Sequence, residues 1–236
     1  MTKTLGILGG MGPMATVDFI AKLIRLTPAR RDQEHIPLLV HAVPQIPDRS
    51  ACLLQSGESP LDALLKGINV LVSGGADGIA IPCNTAHYWH PELVRQCPVP
   101  IFHMADICAD YLQQEQVCNV GLMATDGTLK AGFYPPRLAA RGIETQLPTA
   151  ALQQQIMQGI YAVKSGHTET GSLLLEEAFQ QMLDSGAQRV ILGCTEIPLA
   201  LSQTRADLQH RGVDATNLLA AHAVDWSLTS PANQAA

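Results

Sequence analysis

An apolar run that ends in cysteine occurs twice in this chain. "GADGIAIPC" (75–83) and "GAQRVILGC" (186–194) share a Gly-Ala helix end, a strand-like stretch and a terminal cysteine. Two more pairs fall in the same order. "LGILGGMGP" (5–13) matches "VGLMATDGT" (120–128), each an apolar run entering a glycine-bearing loop; "IFH" (101–103) matches "GVD" (212–214), each just before a helix. Self-similarity in matched order implies two copies of one supersecondary plan. The apolar runs do not alternate with polar residues, which suits parallel strands covered on both faces, and helix-period segments lie between them. The predicted fold is therefore α/β: two pseudo-symmetric, Rossmann-like lobes of mostly parallel sheet, with the active site in the cleft between them. The lobes are expected at residues 1–100 with about 210–236, and at residues 101–209.

Local signals place the first elements. Thr4–Leu8 reads as a strand, and Gly12-Pro13 can open a helix because proline tolerates the first helical position. Val17, Ile20, Ala21 and Ile24 recur at helical spacing, and Pro28 ends the pattern. Ile36–Val43 is a second strand, followed by the proline-punctuated loop "PQIPDRS". Ser59 is expected to cap a helix with Pro60 at its first position, Leu61, Leu64, Leu65, Ile68 and Leu71 as its buried face, and Gly74-Gly75 as its stop. Gly78–Pro82 is a continuous apolar strand running to Cys83. The tail "SPANQAA" is expected to fray.

Composition narrows the partners. With 236 residues, 47% hydrophobic and 15% charged, the chain can bury a sizeable core, and only 4% aromatic content leaves Leu, Ile, Val and Ala to fill it. The formal charge is -6 and no basic cluster exceeds Arg30-Arg31, which argues against nucleic acid or an anionic membrane as partner. No apolar stretch is long enough for a membrane span, and the run Leu5 to Leu8 is too short for a signal-peptide core. Six cysteines without a CxxC pair read as reduced thiols, so a cytoplasmic location is expected.

Ligands of open parallel sheets gather beyond the carboxyl ends of the strands, where Cys83 and Cys194 both fall. Each precedes a probable helix start, whose free N–H groups and dipole can lower a thiol from about 8.5 toward neutrality. Two lobes related by an approximate two-fold would set two sulfurs on opposite sides of one cavity. That arrangement suits inversion at a carbon carrying an exchangeable hydrogen: one sulfur removes the proton from one face, the other delivers a proton to the opposite face. Asn84, Thr85 and Thr195 offer donors beside the sulfurs, and backbone N–H groups can stabilise the developing charge. Cys52, Cys97, Cys108 and Cys118 are read as packing residues.

Two other readings are set aside. "GxxGGxG" at 6–12 hints at dinucleotide binding, but the acidic residue expected after the next strand is missing. Cys83, His87 and His90 suggest zinc, yet no fourth ligand is placed and Pro91 breaks the helix that would align the histidines. No metal is expected, and His87 is read as packing near the cysteine loop or tuning Cys83.

"GILGGMGP", "IPDR" (46–49), "PCNTAH" (82–87), "ATDGT" (124–128), "IYAVKSG" (160–166) and "GCTEIP" (193–198), taken in order, resemble the aspartate/glutamate racemase family, which works without pyridoxal phosphate. The likeness is greatest to the bacterial branch described as acting on both acids. It implies two α/β lobes, Cys83 and Cys194 as the acid/base pair, Arg49 and Lys164 as holders of carboxylates, and Met11, Asn84, Thr85, Thr125 and Thr195 as pocket-lining residues. It also implies no cofactor, a small acidic amino acid as partner, and a homodimer. Related decarboxylases use one cysteine, so the pair here favours racemisation. A non-catalytic dicarboxylate-binding module, and a maleate isomerase or decarboxylase on the same scaffold, are the alternatives. For Arg49 the chemistry agrees, since a guanidinium can grip a carboxylate with two parallel bonds.

Overall fold

The computed structural model describes residues 2–55, 57–201 and 210–229; the tail expected to fray lies outside them. Two parallel sheets form. In the first, β1 (Leu5–Gly9) lies between β2 (Leu38–Ala42) and β3 (Gly78–Ala80), and Ile79 bridges onward to Ile101. In the second, β4 (Asn119–Ala124) lies between β5 (Glu144–Gln146) and β6 (Arg189–Gly193), and β7 (Gly212–Asp214) pairs with β6. The registers run Leu5↔Leu38 and Leu5↔Gly78 in one sheet, Val120↔Arg189 and Val190↔Gly212 in the other. Each sheet thus has the same strand order, and the three sequence matches occupy the same places in both.

The edge strands shift the expected lobe boundaries. Ile101 closes the first sheet and Gly212–Asp214 closes the second, so the chain changes lobe just after each of these segments. Helix α5 (Met104–Gln114) and the last helix, α11 (Ala215–Leu228), then cross over. α11 packs on α1 (Pro13–Leu26) and on α5. Its end is tied to the first strand: Lys3 N–H donates to the Ser227 carbonyl at 3.0 Å, and Ser227 Oγ donates to the Lys3 carbonyl at 3.0 Å. One apolar cluster therefore contains Leu5, Ile7 and Phe19 of the first lobe, Val120, Leu122 and Val213 of the second, and Leu112 and Leu219 of the crossing helices. The lobes share a core, which fixes the cleft between them.

α1 begins with Pro13 and stops at Thr27 before Pro28, as the sequence predicts. Its buried side does not follow the apolar spacing. Ala15, Thr16, Phe19, Lys22 and Leu23 face inward, while Val17 is 57% and Ile24 52% exposed. Two polar residues can be inside because each is satisfied there. Thr16 Oγ1 accepts from Gly10 N–H at 2.9 Å and donates to the Gly12 carbonyl at 3.0 Å. Lys22 Nζ lies 2.6 Å from Asp18 and 2.7 Å from Asp214, pinning α1 to the end of β7. The next predicted helix starts one residue late: α3 runs Leu61–Ser73, Pro60 is its N-cap, and Ser59 Oγ accepts from Leu61 N–H at 3.3 Å.

Candidate active site

The site is assembled where the central strands end. Gly10, at φ +94°, turns the chain after β1; a Cβ there would meet the Val43 backbone at 2.5 Å, so only glycine can pass beneath β2. The turn delivers Met11. β3 leads to Cys83, β4 to Thr125 and β6 to Cys194. The short helix α2 (Arg49–Gln55) supplies Arg49 from the "PQIPDRS" loop, and Lys164 is the last residue of α8 (Ala150–Lys164). α2 lies against α6 (Asp126–Ala131) of the other lobe so closely that a Cβ on Gly127 would fall 2.8 Å from Ser50 Cα.

One pocket receives the side chains that these elements deliver. Cys83 and Cys194 both line it, 6% and 5% exposed. Met11, Arg49 and Lys164 line it, as do Asn84, Thr85, Thr125 and Thr195. The structure thus gathers the nine residues singled out by sequence. It adds Asp48, Ser50, Gly193 and Glu196. Asp48 Oδ1 accepts from Ala51 N–H at 2.7 Å and so caps the first turn of α2.

Glu196 is the residue the sequence reading passed over, although "GCTEIP" contains it. It opens α10 (Glu196–Leu201), and its Oε2 accepts from Cys194 Sγ at 3.0 Å and from Thr195 Oγ1 at 3.0 Å. Its Oε1 lies 3.6 Å from Lys164 Nζ. The consequence for Cys194 is opposite to the expected lowering. Burial, and then the charge of Glu196, push the thiol well above its ordinary range. α10 is a six-residue helix whose first residue is an anion, so its terminus offers the sulfur little positive field. Burial works against the charge of Lys164, but the Glu196 carboxylate and the two cysteine sulfurs outweigh it and hold the amine above its usual value.

Arg49 is clamped from behind. Its Nη1 donates to the Ile46 and Pro47 carbonyls at 3.1 and 3.0 Å, while its buried Nε has no hydrogen-bond partner among the described residues. An unspent donor on a fixed guanidinium is what a carboxylate needs. Between the lobes, Thr85, Thr125 and Thr128 join their hydroxyls in a ring: 3.1 Å from Thr85 to Thr125, 2.9 Å from Thr85 to Thr128, and 3.1 Å between Thr125 and Thr128. Thr125 also caps α6, accepting from Thr128 N–H at 3.2 Å.

Cys83 is held by its own turn, with its N–H bonded to the Ile81 carbonyl at 2.8 Å, and the 3-10 turn Asn84–Trp89 follows. His87 braces that turn from below: its Nε2 bonds the same Ile81 carbonyl at 3.2 Å. His90 Nε2 bonds the Ile101 carbonyl at 2.9 Å. Both rings thus spend a nitrogen on backbone carbonyls, and His103 packs against them with ring centroids 4.9 and 4.6 Å away.

Two parallel sheets of identical order, each ending in a cysteine that faces one pocket, define a pseudo-symmetric α/β protein with its ligand site between the lobes. A family model described as Asp/Glu/Hydantoin racemase matches residues 8–223. The chain belongs to the Asp/Glu/hydantoin racemase family. It is similar to the structure of an aspartate racemase from Picrophilus torridus, with a TM-score of 0.86 and 33% identity over 95% of this chain and 94% of that one. It is 26% identical over 210 residues to the broad specificity amino-acid racemase RacX of Bacillus subtilis (strain 168), covering 86% of this chain and 90% of the relative. The fold is also that of a Francisella tularensis glutamate racemase solved with D-glutamate, with a TM-score of 0.69 at 14% identity over 95% and 81% of the two chains.

Proposed function

We propose that the protein is a cofactor-independent racemase that interconverts the L and D forms of aspartate, glutamate or both, with Cys83 and Cys194 as its acid/base pair. The observation that carries this reading is that cysteines from matching positions of two similar lobes line one pocket. Family membership and the likeness to an aspartate racemase support the substrate class. The charges agree: Arg49 and Lys164 against Glu196 and Asp48 complement an amino dicarboxylate, which carries two anionic groups and one cation.

In the proposed reaction the Cα–H bond breaks as a cysteine thiolate takes the proton. The electron pair moves into the adjacent carboxylate, where Arg49 and the buried donors of the pocket stabilise it. The S–H bond of the opposing cysteine then breaks and its proton forms the new Cα–H bond on the other face. Cys194, hydrogen-bonded to Glu196 and kept protonated, is the proton donor of the resting pocket. Fixed groups on both faces remove the need for one residue to carry a proton across the carbon.

A panel of L-amino acids incubated with the enzyme and resolved by chiral chromatography tests the reading. Aspartate or glutamate is expected to approach equal amounts of the two enantiomers, since these have equal free energy. Alanine, with no second carboxylate for the second cation, is expected to stay L. Binding of both acids without inversion would mean a sensor on this scaffold. Carbon dioxide released from a malonate, or fumarate formed from maleate, without racemisation would assign the pocket to a decarboxylase or an isomerase.

A further inference from the structure

The Asn84 side chain is 3% exposed and lines the pocket, and its Nδ2 has no hydrogen-bond partner among the described residues. A buried amide N–H₂ left unpaired is costly unless a ligand completes it. The other end of the same amide is held firmly. Tyr134, from the opposite lobe, donates its hydroxyl to Asn84 Oδ1 at 2.5 Å.

Tyr134 is built to hold that position. It opens α7 (Tyr134–Ala139), with Pro135 and Pro136 fixing the backbone behind it, and its ring is 1% exposed in the core shared by the lobes. Burial, with the Cys108 thiol beside it, keeps the phenol protonated far above neutral pH. Burial also pushes Cys108 up to about 12, so neither group ionises. The phenol has one proton to give, and an amide oxygen can only accept. With that proton given to Oδ1, the bond holds the Asn84 amide in the flip that leaves Nδ2 unpaired at the pocket. The opposite flip would turn Oδ1 toward an anionic ligand and repel it.

We infer that Tyr134 is a positioning residue: its hydroxyl locks the Asn84 amide across the lobe interface with the N–H₂ edge free to bind a substrate carboxylate. This rests on the racemase reading for the identity of the ligand, but not for the binding step itself. Tyr134 is not among the residues lining the pocket, so its hydroxyl acts on the ligand through Asn84.

The test is a double-mutant cycle with two readouts. Tyr134→Phe keeps the ring and deletes the donor, and Asn84→Ala removes the amide. Calorimetry reads the affinity for succinate, which has two carboxylates and no stereocentre to invert; racemisation of aspartate or glutamate reads turnover. Thermal unfolding identifies variants that have lost the fold. Tyr134→Phe is expected to weaken succinate at least about tenfold, equivalent to about 1.4 kcal/mol, and to raise KM by a similar factor. In the Asn84→Ala background the same change is expected to have almost no effect. Asn84→Asp, which still accepts from Tyr134 but offers no N–H, is expected to lose as much affinity as Asn84→Ala. Full affinity in a folded Tyr134→Phe protein, or independent effects of the two changes, overturns the inference. Should wild type bind succinate yet invert neither acid, the racemase reading fails while the affinity cycle still decides the role of Tyr134.

Discussion

Cys194→Ser is expected to lower racemisation by about 10³-fold or more, within the range of a lost general acid/base, while the acidic amino acid still binds. Cys83→Ser is expected to do the same. Serine preserves the shape of the side chain, so the groups holding carboxylates stay in place. Its hydroxyl is a far weaker acid than a thiol, so it can neither release a proton to the carbanion nor persist as the base. Because both sulfurs serve one proton exchange, the double variant is expected to be little worse than either single one. Steady-state rates from the L and D sides, with binding measured in parallel, check this. A single variant with full rate in both directions contradicts the two-base assignment.

The second large effect is on stability in acid. His87 is buried and its pKa is lowered to about 3, first by burial and then by the neighbouring His90. His103, also buried, is lowered too, first by burial and then by His87. An unfolded histidine takes up a proton near pH 6.5, whereas the folded ring stays neutral. The stabilisation is therefore complete above about pH 6.5 and drains away as the pH falls toward about 3. For His87 alone the slope approaches ~1.4 kcal/mol per pH unit inside that window. Denaturant unfolding between pH 7 and 5 is expected to give a stability loss of ~2 kcal/mol from this residue, and His87→Gln is expected to flatten the slope. Equal slopes for the two proteins would show that His87 titrates normally.

Much of the fold was legible because the chain states it twice. Parallel strands buried on both faces need continuous apolar runs, and each run leads into a glycine turn or a cysteine. The three matched segments identified β1 with β4, β3 with β6, and the Ile101 bridge with β7. The edge strands were harder to assign to a lobe, since three residues such as Gly212–Asp214 carry no period of their own. The inner face of α1 was not legible, because periodicity counts apolar residues only. Thr16 and Lys22 are inside through bonds to Gly10, Gly12, Asp18 and Asp214, none of which a hydropathy pattern contains. In the site, residues in motifs were found and residues reached across space were not. The hydrogen bond from Tyr134 to Asn84 joins side chains 50 positions apart, and no local spacing encodes it. Glu196 stands two places from Cys194, yet its effect on the thiol depends on burial, which only the fold sets.

The most direct test of the central claim is the fate of the α-hydrogen at early times in deuterated water. L-aspartate and L-glutamate are each mixed with wild-type enzyme, and both enantiomers are isolated before a few per cent has turned over. With a separate sulfur on each face, the D product is expected to carry deuterium at Cα while the recovered L substrate still carries hydrogen. A D product that retains the original hydrogen, or deuterium entering the L substrate as fast as inversion proceeds, would mean that one group works both faces.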